Sequence, residues 1–288
     1  MEYILHLAIV VTIFSILAMS LNYVAGYTGI LSLSHATFYG IGAYATAILT
    51  TQHGFSFVPS VMVGMVLAAV IAYLASFPIL KLKEDSLVLV SFGFSIIMFN
   101  VMLNWTDLTK GPLGIKGIAA PEIFGLSFFS KPLFFALVFL TAIVTYFFFR
   151  RITKSPYGII IKGIRENRTV TAVNGHNVLR YQRSVFTVGA IFAAIAGSFT
   201  ATFLAFIEPK LFELMPSVLI LIMVILGGMA SLKGSVLGAF ILILLPEVLR
   251  FLGLPPSILA EVQQMIYGLV LILVMYLRPQ GLLGEYKI

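Results

Sequence analysis

One stretch, from Arg150 to Arg183, interrupts an otherwise apolar sequence. It carries Arg150, Arg151, Lys154, Lys162, Arg165, Arg168, Arg180 and Arg183 against a single acid, Glu166. Long apolar runs flank it on both sides. Cations that border membrane spans sit on the cytoplasmic side, so this segment is expected to be a cytoplasmic loop and to set the orientation of the rest.

Composition agrees with a membrane chain. Of 288 residues, 60% are hydrophobic and 10% charged, and the mean hydropathy is +1.07. A soluble domain cannot hide that much apolar surface, and continuous apolar runs are not the alternating segments of a barrel. The expected class is therefore an all-α polytopic membrane protein, with one transmembrane domain over 1–288 and the loop 150–183 within it. The net charge of +7 is concentrated in that loop and reports orientation rather than nucleic-acid binding. The chain has no cysteine, so thiol and disulfide chemistry are absent. The first span begins almost at Met1 without a basic n-region, and is expected to be retained rather than cleaved.

The loop has internal pattern. Tyr157, Ile160, Ile161 and Ile164 recur at helical spacing, with Lys162 and Arg165 on the other side. Pro156 suits a first helical turn, Asn167 can cap a second helix, and Asn174-Gly175 offers a left-handed stop. Two short helices are predicted, at roughly 156–166 and 168–174. On composition alone, a basic amphipathic loop lying on anionic lipid fits equally well.

Apolar runs are predicted at about 3–24, 36–50, 58–80, 86–104, 132–149, 184–207, 215–249 and 262–277. Small residues at four-residue spacing, Gly64/Ala68/Ala72 and Ala193/Gly197/Ala201/Ala205, predict faces for close helix packing. Two runs are broken. Gly26 to His35 is uncharged but poor in bulky apolar residues, and Gly227 to Gly234 divides a run too long for one crossing. About eight or nine membrane segments are expected, broken or short helices included, and counting the second break as a return gives nine crossings, with the N-terminus outside and the C-terminus inside. Ser32-Leu-Ser-His35 before Gly42, and Ser231-Leu-Lys-Gly234 before Gly238, also suggest a weak internal repeat.

Several chemistries are missing. No GxxxxGKS/T sequence occurs, so the chain is not a P-loop ATPase. No run has an acid at its centre; Glu247 lies near a predicted end, which argues against proton coupling. His6, His35, His53 and His176 are dispersed, no metal or cofactor site is predicted, and no GxSxG element is present. His35, beside the first break, is read either as a packing residue or as a solute contact.

Ser155-Pro-Tyr-Gly, Ile164-Arg-Glu-Asn, Ala172-Val-Asn-Gly175 and Arg180-Tyr-Gln-Arg183 closely resemble the coupling loop of LivM-like permeases, membrane subunits of branched-chain amino-acid ABC importers. Four further stretches resemble the same family in the same order: Asn22 to Ala47, Gly111-Pro-Leu-Gly-Ile, Val224 to Ala239, and Arg278-Pro-Gln-Gly-Leu-Leu-Gly284. One departure is Ile159, where the family commonly carries Arg after Gly158.

The resemblance implies an inner-membrane importer that pairs this chain with a homologous LivH-like permease, two cytoplasmic ATPases and an external solute-binding protein. It implies ATPase coupling through Arg165, Glu166, Asn167, Ala172 and Gly175. A path through the broken segments is expected at Asn22, Ser34, His35, Gly42, Gly227, Gly228, Ser231 and Gly234. An external gate or binding-protein contact is expected at Gly111, Pro112 and Gly114, for which simple tight turns are the other reading. Related permeases carry urea or short amides, and a passive channel is the competing class.

Overall fold

The computed structural model describes residues 2–123, 125–250, 256–278 and 280–284. Part of the stretch between the predicted runs 215–249 and 262–277 lies outside these residues, as does Pro279.

Helix α1 spans Glu2–Leu21 and continues through a π-turn at Asn22–Gly26; an irregular segment then leads to α2 at His35–Gln52. Helices α3 (Phe57–Ile79) and α4 (Glu84–Asn104) follow, then a single turn α5 (Thr106–Thr109) and short strands β1 (Ile115–Lys116), β2 (Glu122–Ile123) and β3 (Leu126–Ser127). Helix α6 (Lys131–Thr153) leads to α7 (Pro156–Glu166), α8 (Arg168–Val173) and the long α9 (Val178–Leu204). Strand β4 (Phe206–Ile207) precedes α10 (Leu214–Gly227), α11 (Leu232–Arg250) and α12 (Pro256–Leu277). Among the described residues, six helical stretches are long and apolar enough to cross a membrane. The protein is an all-α polytopic membrane protein.

The small-residue faces pack helices against one another. Gly64 of α3 lies where a Cβ would meet Ala45 and Gly42 of α2 at 3.4 Å, and Ala68 and Ala72 are fully buried on the same face. Gly197 of α9 admits the Tyr39 carbonyl of α2 so closely that any side chain would overlap it. Without Cβ atoms the backbones approach and gain dispersion contacts that larger residues would block. The α9 stripe stops one step earlier than its spacing suggests. The helix ends at Leu204, and Ala205 turns left-handed at φ 53°, so Phe206 and Ile207 can pair with Lys116 and Ile115.

The outward faces of α3, α4 and α6 expose Val66, Leu74, Leu89, Ile97, Leu140 and Phe147. Such faces suit contact with lipid or a partner rather than water.

The two ends of the bundle differ in chemistry. One end gathers α7, α8, the C-terminal ends of α1, α3, α6 and α10, and most of the basic residues: Arg168 donates to Leu80 O and Gln182, and Leu282 and Leu283 donate to Leu226 O and Gly227 O. The opposite end carries the β1–β4 ladder, the Glu2–Lys131 ion pair and a Gln52 to Leu108 O hydrogen bond.

Candidate functional site: a basic hairpin joined to two helix breaks

Local sequence builds the hairpin of α7 and α8. Ser155 caps α7 by accepting from Gly158 N, and Pro156 occupies its first turn. Ile161 and Ile164 are buried, while Ile159 points outward. Asn167 leaves helical geometry at φ −157° and caps α8 by accepting from Val170 N at 3.0 Å. Gly175, at φ 86°, ends α8, and Asn177 caps α9 by accepting from Arg180 N. These caps fix where each helix begins and ends.

The hairpin has two faces. Outward, Glu166, Asn167, Ala172 and Gly175 are exposed, and Val170 and Val173 show 56% and 82% of their surface. An apolar outward face on so basic an element has no partner among the described residues. Inward, Arg165 Nη1 donates to Gly26 O, and its Nη2 lies 4.0 Å from Met229 Sδ. Gly26 belongs to the first break and Met229 to the second. One guanidinium therefore touches both.

Asn22 joins the breaks directly. Its Oδ1 accepts from Ala230 N at 2.8 Å; its Nδ2 donates to Ser231 O at 2.9 Å and to Ser235 Oγ at 2.6 Å. Breaking a helix frees backbone groups that cannot reach water at this depth, and a primary amide offers both a donor and an acceptor to them. Glycine allows the surrounding fit: Gly228 has φ 112°, and Gly227 and Gly234 approach so closely that a Cβ on either would overlap the other's carbonyl. Gly238 stands in the same relation to the Met223 carbonyl. Helices α10 and α11 thus form a tight hairpin about the break.

The C-terminal stretch completes this turn. Leu282 N and Leu283 N donate to the last carbonyls of α10, Leu226 O and Gly227 O, at 3.0 and 2.9 Å. These carbonyls would otherwise lack intrahelical partners.

The first break is satisfied by serines. Ser91 accepts from Leu33 N at 3.0 Å, Ser95 donates to Leu33 O at 2.9 Å, and Ser217 accepts from Ala36 N at 2.9 Å. Ser34 pairs with Ser32, and His35 Nε2 lies 2.7 Å from Ser20 Oγ. The two breaks are packed differently: Gly42 of α2 abuts Ala194 of α9, whereas Gly238 abuts α10.

The structure therefore brings Arg165, Asn22, Gly227, Gly228, Ser231 and Gly234 into one connected group. Ser34 and His35 belong to the serine-lined entry of α2, and Gly42 to the α2–α9 contact. Gly111, Pro112 and Gly114 lie at the opposite end. There Gly111 and Gly114 have φ 53° and 65°, and Gly114 lets Ile207 O approach. Ser20, Ser91, Ser95, Ser217 and Ser235 escaped sequence reasoning, because an isolated serine in an apolar run has no pattern to mark it.

One cavity adjoins this group and a second lies further along α10. One, of about 340 Å³, is lined by Arg150, Lys154, Lys162, Lys233, Tyr27 and Ser231 among others, between the hairpin and the second break. The other, of about 510 Å³, lies between α1, α10 and α12; its walls include Phe14, Pro216, Leu219 and Ile222, with Gln263 and Gln264 as polar groups.

Apolar helices, backbone breaks held by buried polar side chains and an outward-facing basic hairpin define a membrane transport subunit. Residues 3–275 match the model of the family described as branched-chain amino acid transport system / permease component, and the chain belongs to that family. It is 32% identical to the high-affinity branched-chain amino acid transport system permease protein LivM of Escherichia coli K12, over 96% of this chain and 69% of the relative. It is 26% identical to a probable LivM of Methanocaldococcus jannaschii, over 96% and 92%. A LivH permease of Escherichia coli K12 matches at 24%, over the same shares. No solved structure matches.

Proposed function

We propose that this chain is one permease subunit of an ATP-binding cassette importer that moves branched-chain amino acids across the cytoplasmic membrane. The observation that carries the reading is Arg165, which joins the basic hairpin to Gly26 and Met229 at the two breaks. Cytoplasmic ATPase subunits dock on the exposed face of α8 at Val170, Ala172 and Val173. ATP-driven closure of those subunits moves α7 and α8 as a lever, and Arg165 passes the motion to the breaks. The breaks then exchange contacts between outward-open and inward-open states, as alternating access requires.

The partners in this reading are a LivH-like permease, two ATPases and an external solute-binding protein that meets the loop around Gly111, Pro112 and Gly114. Similarity to both LivM and LivH proteins supports a pair of related permeases. In this reading the hairpin end faces the cytoplasm, and with nine crossings, α2, α11 and α12 beside the six stretches above, the N-terminus lies outside. The apolar cavity with its two glutamines suits a solute with an apolar side chain and a polar head.

Ala172→Trp tests the docking. It leaves the charge unchanged but puts a large ring on the exposed face of α8. The partner permease is expected to stay bound while ATPase co-purification and solute-stimulated hydrolysis fall together. Full ATPase binding by Ala172→Trp, with function lost when Lys162 and Arg168 are neutralised, would show instead that the hairpin lies on lipid.

A further inference from the structure

A recess of about 330 Å³ opens between α3 and α9 at the basic end of the bundle, away from the breaks. It is lined by Tyr73, Arg180, Arg183, Ser184, Thr187 and Val188. The Arg183 guanidinium stacks on Phe77, its carbon 4.0 Å from the ring centroid. Stacking covers one face of the guanidinium and leaves its N–H groups, which lie in the plane, to find acceptors elsewhere. Arg183 Nε is covered by protein and has no hydrogen-bond partner among the described residues.

Thr187 Oγ1 is covered too, and likewise has no partner among the described residues. This is unusual in the present chain. Thr12, Thr141, Thr145, Thr200 and Thr202 each turn the hydroxyl back onto the carbonyl four residues earlier. Thr187, one turn after Arg183 on the same face of α9, does not. Arg183 and Thr187 both line a recess whose walls also include Arg180 and Ser184 and no acid.

We propose that this recess seats the phosphate of an anionic membrane phospholipid. A phosphate offers several acceptor oxygens, and guanidinium groups match its geometry and charge. The recess lies where the apolar shaft of α3 ends, just before Lys81 and Lys83, at the level of the exposed aromatic pair Tyr73 and Phe77. Aromatic residues and snorkelling cations mark the headgroup boundary. Below the recess, α3 exposes Val66, Val70 and Leu74, a surface for an acyl chain and not for a free ion. Basic pockets between spans on the cytoplasmic side are suited to anionic headgroups.

The test uses the purified full chain equilibrated in mixed micelles of phosphatidylglycerol and phosphatidylcholine, with bound lipid read by native mass spectrometry. The wild type is expected to retain phosphatidylglycerol in preference to phosphatidylcholine. Arg183→Gln should weaken that retention about fivefold, the scale of one basic residue at an anionic surface, and Arg183→Lys should weaken it less. Thr187→Val, which keeps shape and removes only the hydroxyl, should lower retention without changing monodispersity, so it decides the matter if Arg183→Gln fails to fold. Lys83→Gln, an equal charge change outside the recess, should retain lipid like the wild type. Equal retention of both lipids, equal losses in Arg183→Gln and Lys83→Gln, or displacement of the lipid by inorganic phosphate would each overturn the proposal.

Discussion

Asn22 Oδ1 accepts from Ala230 N at 2.8 Å, across a sequence separation of 208 residues, with the Asn22 side chain wholly buried. Ala230 is held at φ 61°, a left-handed conformation that costs an L-residue energy. The asparagine both pins that turn and satisfies the groups the turn frees. It makes the end of α1 and the α10–α11 break one structural unit, and Arg165 attaches the hairpin to the same unit.

Removing the amide should loosen that unit. Asn22→Leu leaves Ala230 N and Ser231 O without their partner, and each buried orphan costs about 1–3 kcal/mol. The expected outcome is a lower unfolding temperature of the detergent-solubilised protein and loss of uptake. A thermal profile equal to the wild type would mean that other groups satisfy the break.

Close backbone contact between α10 and α11 makes a different prediction. A leucine at Gly234 or Gly238 would drive side-chain atoms into the Gly227 or Met223 carbonyl. Overpacking of this kind costs about 1–3 kcal/mol. Membrane insertion should persist, while assembly with the partner permease or transport is lost. Normal uptake by both variants would place that face against something soft.

Arg165 should act on coupling rather than docking. Its guanidinium faces inward, so Arg165→Ala is expected to keep the ATPase bound, unlike Ala172→Trp. Loss of a hydrogen bond from a charged group, about 1.5–3 kcal/mol, should reduce solute-stimulated hydrolysis and uptake roughly ten- to a hundredfold. Reconstituted vesicles with bound ATPase measure this split directly. Loss of ATPase binding in Arg165→Ala would remove the distinction.

Orientation can be read in a chain with no native thiol. A cysteine replacing Lys154, which is exposed at the hairpin end, should label with an impermeant reagent only from the cytoplasmic side. A cysteine replacing Lys210, exposed at the opposite end, should label only from outside. Labelling of both from one side would reject the crossing pattern proposed above.

By itself, the order of residues determined the class of fold, the extent of most helices, the two short helices of the basic hairpin and the place of both breaks. These follow from local rules: apolar length, small-residue spacing, Asn167 and Pro156 at helix starts, and Gly175 at a helix end. The tertiary structure alone decided what the breaks are bonded to. Asn22 reaches Ala230 and Ser231, Ser91 and Ser95 reach Leu33, and Leu282 and Leu283 reach the end of α10. It also decided that Arg165 points inward while Ala172 and Val173 face out. A freed backbone group in an apolar interior must be satisfied, but any serine, asparagine or backbone amide brought near can do so. Which one is near depends on how distant helices pack, and no local pattern records that.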